Sequence, residues 1–152
     1  DSLMVKGATL LLKTVDAIAS GDYPLIDQNE LLNGRTPIHA PKIFKEDMRV
    51  DWNNTLDTIY NRIRGLAPFP TAWAELIHKT TGQSHSFKIF RTEKIAGAHD
   101  HAFGELVTDG KKTFDVYVPG GILRILELQL AGKKRMITED FLRGFKLEDY
   151  HL

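Results

Sequence analysis

The chain has 152 residues, enough for one domain with a hydrophobic core or for a small domain with an appendage. Its 20 Lys and Arg residues balance 20 Asp and Glu residues, which excludes a histone-like or strongly acidic protein and requires any nucleic-acid surface to be local. It contains no cysteine, which excludes a disulfide framework and a thiolate zinc site.

The sequence contains no predicted membrane segment. No apolar run reaches the roughly 18 residues that a membrane span needs, and no signal segment opens the chain. We therefore predict a cytoplasmic protein with no membrane partner. Helical sequence follows directly after Asp1, without an initiating Met, so we expect a fragment of a longer protein.

One helix and an extended connector are predicted for the first third of the chain. Apolar residues recur with helical spacing over residues 3–19, where Leu11 and Val15 share one face, and Gly21 ends the helix. The connector at 22–49 contains several prolines and has no sustained period. We expect an extended segment that connects the two helices and does not pack into a hydrophobic core.

A second helix is predicted after the connector. Asn53 or Asn54 can cap its start, and Gly65 and Pro68 mark its end. Its apolar stripe has the i, i+3, i+4, i+7 spacing of a helix face and consists of Leu56, Ile59, Tyr60 and Ile63.

The rest of the chain changes to short strands separated by turn sequences such as Asp109-Gly110. Leu126, Leu128 and Leu130 alternate with polar residues, as in a strand with one buried face. A short helix is predicted at 138–144. We therefore predict a mainly β fold with flanking helices, an OB-like open β-barrel, with a five-stranded sheet packed on the helices as the alternative. The five predicted strands are 73–79, 86–96, 103–107, 112–118 and 122–131.

Three adjacent basic residues, Lys133, Lys134 and Arg135, follow the last long strand. In a loop at the edge of a barrel they could neutralise phosphate groups and release counterions, an attraction that does not depend on base sequence. The alternative is a solvated loop with three charges.

The aromatic and histidine residues are interpreted as structural. Trp52 and Trp73 flank the second helix, and we expect both to be core residues rather than platforms on which bases stack. Phe69, Phe87 and Phe90 have the same interpretation.

His99 and His101 have the two-residue spacing of a metal-binding strand, but no third ligand is evident. We predict a mobile loop there and no metal site.

Four collinear blocks resemble the carboxy-terminal part of the methionyl-tRNA formyltransferase family and together cover most of the chain. The third block resembles the "IRAxxPxPxAW" signature of that family. The blocks are "GATLLLKTVDAI" at 7–18, "APKIFKEDMRVDW" at 40–52, "IYNRIRGLAPFPTAW" at 59–73 and "LQLAGKKRMITEDFLRG" at 128–144.

The resemblance implies a division of the chain into three segments. Residues 1–23 would be the terminal helix of a truncated N-terminal formyltransferase domain. Residues 24–50 would be the interdomain linker. Residues 51–152 would be the C-terminal OB-like barrel domain, with the fold of the formyltransferase C-terminal domain.

The resemblance also implies the activity of the longer protein. Members of the family transfer a formyl group from 10-formyltetrahydrofolate to the methionine on initiator tRNA in translation initiation. Their catalytic Asn, the His of a "HxSLLP" motif and an Asp belong to the N-terminal domain, and that motif is absent here. We therefore predict a non-catalytic fragment that holds no cofactor or metal. Its predicted partners are initiator methionyl-tRNA and its own N-terminal catalytic domain, within a monomeric enzyme.

Two alternatives stay open. One is the C-terminal domain of a folate-dependent sugar formyltransferase or of a formyltetrahydrofolate hydrolase-like enzyme. The other is a stand-alone OB-type binding module.

The resemblance implies that basic side chains of the linker and the closing loop bind tRNA, and we extend this expectation to one arginine of the second helix. Arg62 and Arg64 are two residues apart on a helix, so at most one faces the ligand, and Arg62 could instead pair with Asp57. Acidic neighbours nearly balance the linker lysines, so a solvated linker is the alternative there. The predicted tRNA-binding residues are Lys42, Lys45, Arg62, Lys133, Lys134 and Arg135.

Overall fold

The computed structural model describes residues 2–152 and divides into two compact units. One unit ends at Pro41, and the other runs from Lys42 to Leu152. The assignment of the three predicted segments to a truncated domain, a linker and a barrel domain stays a prediction.

The first unit contains two helices. α1 (Ser2–Ser20) matches the predicted helix, and none of its residues is buried. α2 (Gln28–Leu32) lies in the predicted connector, where the Asp27 carboxylate accepts the Asn29 N–H at 2.7 Å. A helix this short depends on its cap and leaves no periodic signal in the sequence. Among the helices of residues 2–152, none combines the length and apolarity that a bilayer crossing requires.

The second unit begins with a short 3-10 helix (Glu46–Met48) and continues to α3 (Leu56–Leu66). The predicted stripe of α3 faces the core, with Ile59 and Ile63 buried. The predicted cap is wrong, because Thr55 caps α3 by accepting the Thr58 N–H at 3.3 Å.

Asn53 and Asn54 do not cap α3 because their side chains are used in the preceding turn. Both side-chain amides donate to the Asp51 carboxylate, at 3.0 and 2.9 Å. Asn and Asp side chains compete in this way for local hydrogen bonds.

Seven strands form one antiparallel sheet in the order β3-β4-β5-β2-β1-β7, and β6 pairs with β5. All five predicted strands are present. The two additional strands, β6 and β7, have two residues each, too few for an alternating pattern. The strands are β1 (Ala72–His78), β2 (Ser84–Ala96), β3 (Leu106–Thr108), β4 (Phe114–Val118), β5 (Gly121–Leu130), β6 (Met136–Ile137) and β7 (Tyr150–His151).

The predicted start of β3 at residue 103 is wrong. Residues before Leu106 form a turn instead, in which the Glu105 N–H donates to the Ala102 carbonyl at 3.0 Å. The Gly104 N–H then donates to the Tyr117 carbonyl at 2.8 Å, which ties this turn to β4.

The sheet curls into a nearly closed barrel. The turn between β3 and β4 approaches the 3-10 helix Leu147–Asp149, which leads into β7 at the other end of the strand order. A Cβ added to Gly110 would lie 2.5 Å from the Glu148 Oε1 atom. The short helix α4 (Thr138–Leu142) follows β6, as predicted. The predicted mainly β, OB-like open barrel is confirmed.

The barrel core contains the inward side chains of the sheet and one face of α3. Phe87 and Phe114 are buried at its centre with ring centroids 5.8 Å apart. The prediction of a core position is therefore confirmed for Phe87, and Trp52 is partly buried against the core. It is wrong for Phe69, whose side chain is 86% exposed in the turn between α3 and β1.

Candidate nucleic-acid interface

Three strands present one row of outward side chains. Trp73 of β1 pairs with Lys88 of β2, and Lys88 pairs with Gln129 of β5. Paired residues of neighbouring strands project from the same face of a sheet. Their neighbours along the strands, such as Ala74 and Phe87, are buried, so this row lies on the outside. We call the outward side of β1, β2 and β5 the outer face.

At one end of the row, Trp73 contacts two cations from residues 42–49, which we call the segment before α3. The Lys45 Nζ atom lies 5.4 Å from the Trp73 ring centroid, and the Arg49 guanidinium lies 5.5 Å from it. The indole N–H donates to the Lys45 carbonyl at 2.9 Å. The predicted core position of Trp73 is therefore wrong, because the strand register turns its side chain outward. There it supports basic side chains.

The other predicted residues of this region lie along the same segment. The Lys42 Nζ atom lies 5.3 Å from the Phe44 ring centroid. Arg62 donates to the Asp47 carbonyl and so attaches the segment to α3. The alternative pairing of Arg62 with Asp57 is wrong, because Asp57 pairs with Lys94.

A cavity of about 220 Å³ lies between the segment and α3. Arg49 and Arg62 line it, together with the Asp51 carboxylate and the buried Ile59 and Ile63. Its lining combines charged residues with buried apolar ones.

At the other end of the row is the basic loop, residues 131–135. The Gln129 amide donates to the Lys133 carbonyl at 2.9 Å, and the Lys133 N–H donates to the Leu130 carbonyl at 3.0 Å. Both lysines of the loop are exposed. Within residues 2–152, neither Lys133 nor Lys134 has an ion-pair partner for its side chain.

Arg135 is engaged inside the protein. Its Nε and Nη2 atoms each donate to the Glu127 carboxylate at 2.7 Å, and its guanidinium lies 4.2 Å from the Phe90 ring centroid. Phe90 therefore supports a cation on the outer face, as Trp73 does, and its predicted core position is wrong.

The electrostatics of this pair follow from its geometry. The hydrogen bond from Arg135 lowers the pKa of Glu127 against the opposing effect of burial, and the charges of Arg135 and Arg91 lower it further. The same hydrogen bond raises the pKa of Arg135. Glu127 therefore stays ionised, and Lys133 and Lys134 carry the unpaired positive charge of the loop.

Sequence reasoning missed Arg49, Lys88 and Arg91 on this face. Lys88 lies between the buried residues Phe87 and Ile89, so strand alternation alone indicates that it points outward. Its place between the two predicted basic clusters required the pairing register, which one sequence does not contain.

The two histidines with metal-like spacing are packed against β4 and its following turn. The His99 Nε2 atom donates toward the Val118 and Gly121 carbonyls at 2.9 and 3.1 Å. The His101 ring stacks on Tyr117 with centroids 3.9 Å apart. These contacts attach both histidines to β4, and the mobility of the loop stays a prediction. In residues 2–152, no group of three or more His, Cys, Asp and Glu side chains could hold a metal ion.

Comparison with curated proteins bears out the resemblance. The chain is 47% identical over 149 residues to the methionyl-tRNA formyltransferase of Bacteroides thetaiotaomicron, covering 98% of this chain and 46% of that protein. It is 46% identical over 150 residues to the protein of the same name from Phocaeicola vulgatus, again covering 98% and 46%. The chain thus spans about half the length of the curated relatives it matches.

Solved structures support the fold. HypX from Aquifex aeolicus aligns with a TM-score of 0.57 at 18% identity, over 90% of this chain and 23% of that chain. Residues 42–146, which include the outer face, the segment before α3 and the basic loop, match the family described as "Formyl transferase, C-terminal domain". The chain belongs to the formyl transferase C-terminal domain family.

Proposed function

We propose that the chain is the tRNA-binding C-terminal portion of a methionyl-tRNA formyltransferase. The whole protein would transfer a formyl group from 10-formyltetrahydrofolate to methionyl-initiator tRNA in translation initiation, in the cytoplasm and as a monomer. The name of the curated relatives supports this activity. The formyl donor would be a substrate of the N-terminal catalytic domain, and the present portion would hold the tRNA.

One observation carries the proposal: basic residues from separate segments share the outer face. Lys45 and Arg49 lie at Trp73, where Arg49 also pairs with Glu75 at 2.9 Å. Lys88 follows in the same row, and the basic loop lies at its other end. Neighbouring strands are about 4.8 Å apart, so the row from β1 to β5 spans about 10 Å. A polyanion lying across it would meet several cations at once, although the whole chain is neutral.

The predicted contacts divide into two groups. Lys42, Lys45, Lys133 and Lys134 are exposed and would neutralise phosphates directly, and we add Lys88 to them. Arg62 and Arg135 also donate within the protein, which leaves only part of each guanidinium for a phosphate.

Such contacts would position the tRNA without doing acid–base chemistry. Holding a substrate in a reactive geometry lowers the entropic cost of the reaction. The tRNA would be held here while its aminoacylated end reaches the catalytic domain of the same enzyme.

The test compares two double variants of the full 152-residue chain. Lys133→Ala/Lys134→Ala should weaken tRNA binding and lower the slope of log affinity against log salt by about one to two. Lys111→Ala/Lys112→Ala is the matched control, because it also removes two exposed adjacent lysines that follow a glycine. Binding is measured by titration at several salt concentrations.

Equal behaviour of the two double variants would refute the proposed interface and favour a sugar-directed enzyme or a stand-alone module. Formyl transfer by the chain alone would refute the placement of catalysis in another domain.

A further inference from the structure

We propose that Glu127, an acidic residue within the basic outer face, positions the basic loop and so increases the affinity for tRNA. The inference rests on the proposed function and concerns the same surface. It assigns Glu127 and Phe90 as positioning residues, which act through Lys133 and Lys134.

Glu127 lies where three strands meet. It pairs across the sheet with Arg91 of β2 and with Ile137 of β6. Its side chain is 22% exposed, against 45% for that of Arg135. The Glu127 carboxylate therefore belongs to the sheet, and Arg135 of the loop reaches it.

The guanidinium of Arg135 is held in two directions. Both carboxylate oxygens of Glu127 accept from it at 2.7 Å, a bidentate pair that fixes the guanidinium plane. The Phe90 ring lies 4.2 Å away and supports one face of that plane. Together they attach the end of the basic loop to β5 and β2.

The start of the loop is attached separately. The Gln129 amide donates to the Lys133 carbonyl at 2.9 Å, and the Ala131 N–H donates to the Ser86 carbonyl at 2.9 Å. The loop is therefore attached at Ala131, at the Lys133 backbone and at the Arg135 side chain, while the side chains of Lys133 and Lys134 have no ion-pair partner within residues 2–152. Less backbone entropy is lost on binding when a loop is already ordered.

The positioning role and the charge of Glu127 have opposite effects on the affinity for tRNA. A carboxylate beside the phosphates repels them, so Coulomb forces alone predict that removing its charge strengthens binding. If Glu127 positions the loop, removing its charge weakens binding.

The experiment uses Glu127→Gln in the full chain, with Glu93→Gln as the matched control. Glu93 is an exposed residue of β2 whose carboxylate makes no hydrogen bond within residues 2–152. Both variants remove one negative charge. We expect Glu127→Gln to lower tRNA affinity about three- to tenfold, while Glu93→Gln leaves it unchanged or slightly raised. Phe90→Leu, which changes no charge, should also lower the affinity for tRNA.

The mechanism is tested by combining variants. In the Lys133→Ala/Lys134→Ala background, Glu127→Gln should have no further effect, because the residues through which it acts are gone. The urea unfolding midpoint of each variant is measured alongside, and an exposed ion pair is expected to change it little.

The outcomes separate this inference from the proposed function. If Glu127→Gln binds tRNA as tightly as Glu93→Gln or more tightly, while the lysine double variant binds weakly, the positioning role is refuted and the interface stands. An equal loss in both backgrounds also refutes it, since the effect would then not pass through the lysines. If the lysine double variant binds normally, the proposed interface itself fails.

Discussion

The same tripeptide, Gly-Lys-Lys, occurs at two turns of the barrel, as residues 110–112 between β3 and β4 and as residues 132–134 between β5 and β6. Both glycines have a left-handed backbone, with φ of 71° at Gly110 and 75° at Gly132. The first turn folds around the Asp109 carboxylate, which accepts three backbone N–H groups at 2.7 to 3.0 Å. The second is attached through Gln129 and Glu127 to the outer face.

The difference lies in the neighbours that the sheet supplies. At the first turn, Asp109 places a negative charge beside the two lysines. At the second turn, the carboxylate of Glu127 is neutralised by Arg135, and the row of Lys88 and Trp73 continues the basic surface. The tripeptide itself carries the same charge at the two turns, whereas its neighbours in the sequence and on the sheet do not.

Charge reversal at the two turns should give the largest contrast. Lys133→Glu/Lys134→Glu should lower tRNA affinity about 30- to 100-fold, because two attractive contacts become repulsive. Lys111→Glu/Lys112→Glu should change it less than about threefold. Binding titrations at one fixed salt concentration measure both, and similar losses would show that overall charge, rather than the outer face, determines affinity.

The ion pairs near the two turns, Asp115–Arg124 and Glu127–Arg135, should contribute unequally to the free energy of unfolding. Asp115 is buried on β4, and Arg124 of β5 donates to both its carboxylate oxygens at 2.8 Å. Arg124→Met should lower the free energy of unfolding by about 2 kcal/mol, because it leaves a buried carboxylate unpaired. Arg135→Met should have a much smaller effect, since its pair with Glu127 is exposed. Urea denaturation of both variants measures this, and equal losses would contradict it.

Both glycines should contribute to folding, but only one of them to binding. Gly132→Ala should lower the free energy of unfolding by about 1 kcal/mol, because alanine disfavours a left-handed backbone. Gly110→Ala should lower it by at least as much, because its Cβ would also lie 2.5 Å from the Glu148 Oε1 atom and displace that side chain. Only Gly132→Ala should weaken tRNA binding, since relief of the strain shifts the basic loop. Paired unfolding and binding measurements test this, and weaker binding by Gly110→Ala would contradict it.

The smallest expected effect is a pH-dependent change in stability when Asp109 is replaced. Hydrogen bonds from the Lys112, Thr113 and Lys111 N–H groups hold the pKa of Asp109 well below its ordinary value of 3.8. A group whose pKa is lowered by folding stabilises the fold above its unfolded pKa, and this contribution is lost as pH falls toward the folded-state pKa. Asp109→Ala should therefore destabilise the chain above about pH 5, and its difference from wild type should shrink below about pH 4. Urea midpoints across this range measure the effect, and a pH-independent difference would exclude titration of Asp109 as its cause.

Much of the barrel could be predicted because its signals are local. The stripe of α3, the alternation of Leu128 and Leu130 with polar residues, and the turn glycines each depend on residues close in sequence. The predicted buried face of β5 is wrong at Leu126, which is only partly buried, because the register shift between Arg91 and Thr92 makes Ile125 the inward residue before Leu128. The predicted cap of α3 is wrong because another residue binds the side chains that were expected to form it. Asn53 and Asn54 are good caps, but Asp51 takes their amides, and Thr55 caps the helix instead.

The candidate interface was only partly predictable. Lys45 and Lys133 were selected from a resemblance, and nothing in the spacing of 88 residues between them indicates a shared face. Trp73 and Phe90 were expected in the core, since large aromatic side chains usually are. In the structure each supports a cation on the outer face.

The sequence by itself determined the class of fold, the helix faces, the approximate strands and the family, because hydrophobic periodicity, turn residues and motif order are properties of short segments. The tertiary structure alone decided which charges act together. The pairing register brings Trp73, Lys88 and Gln129 into one row and brings Glu127 to Arg135. Electrostatic attraction depends on distance in space, and the register of distant strands sets that distance.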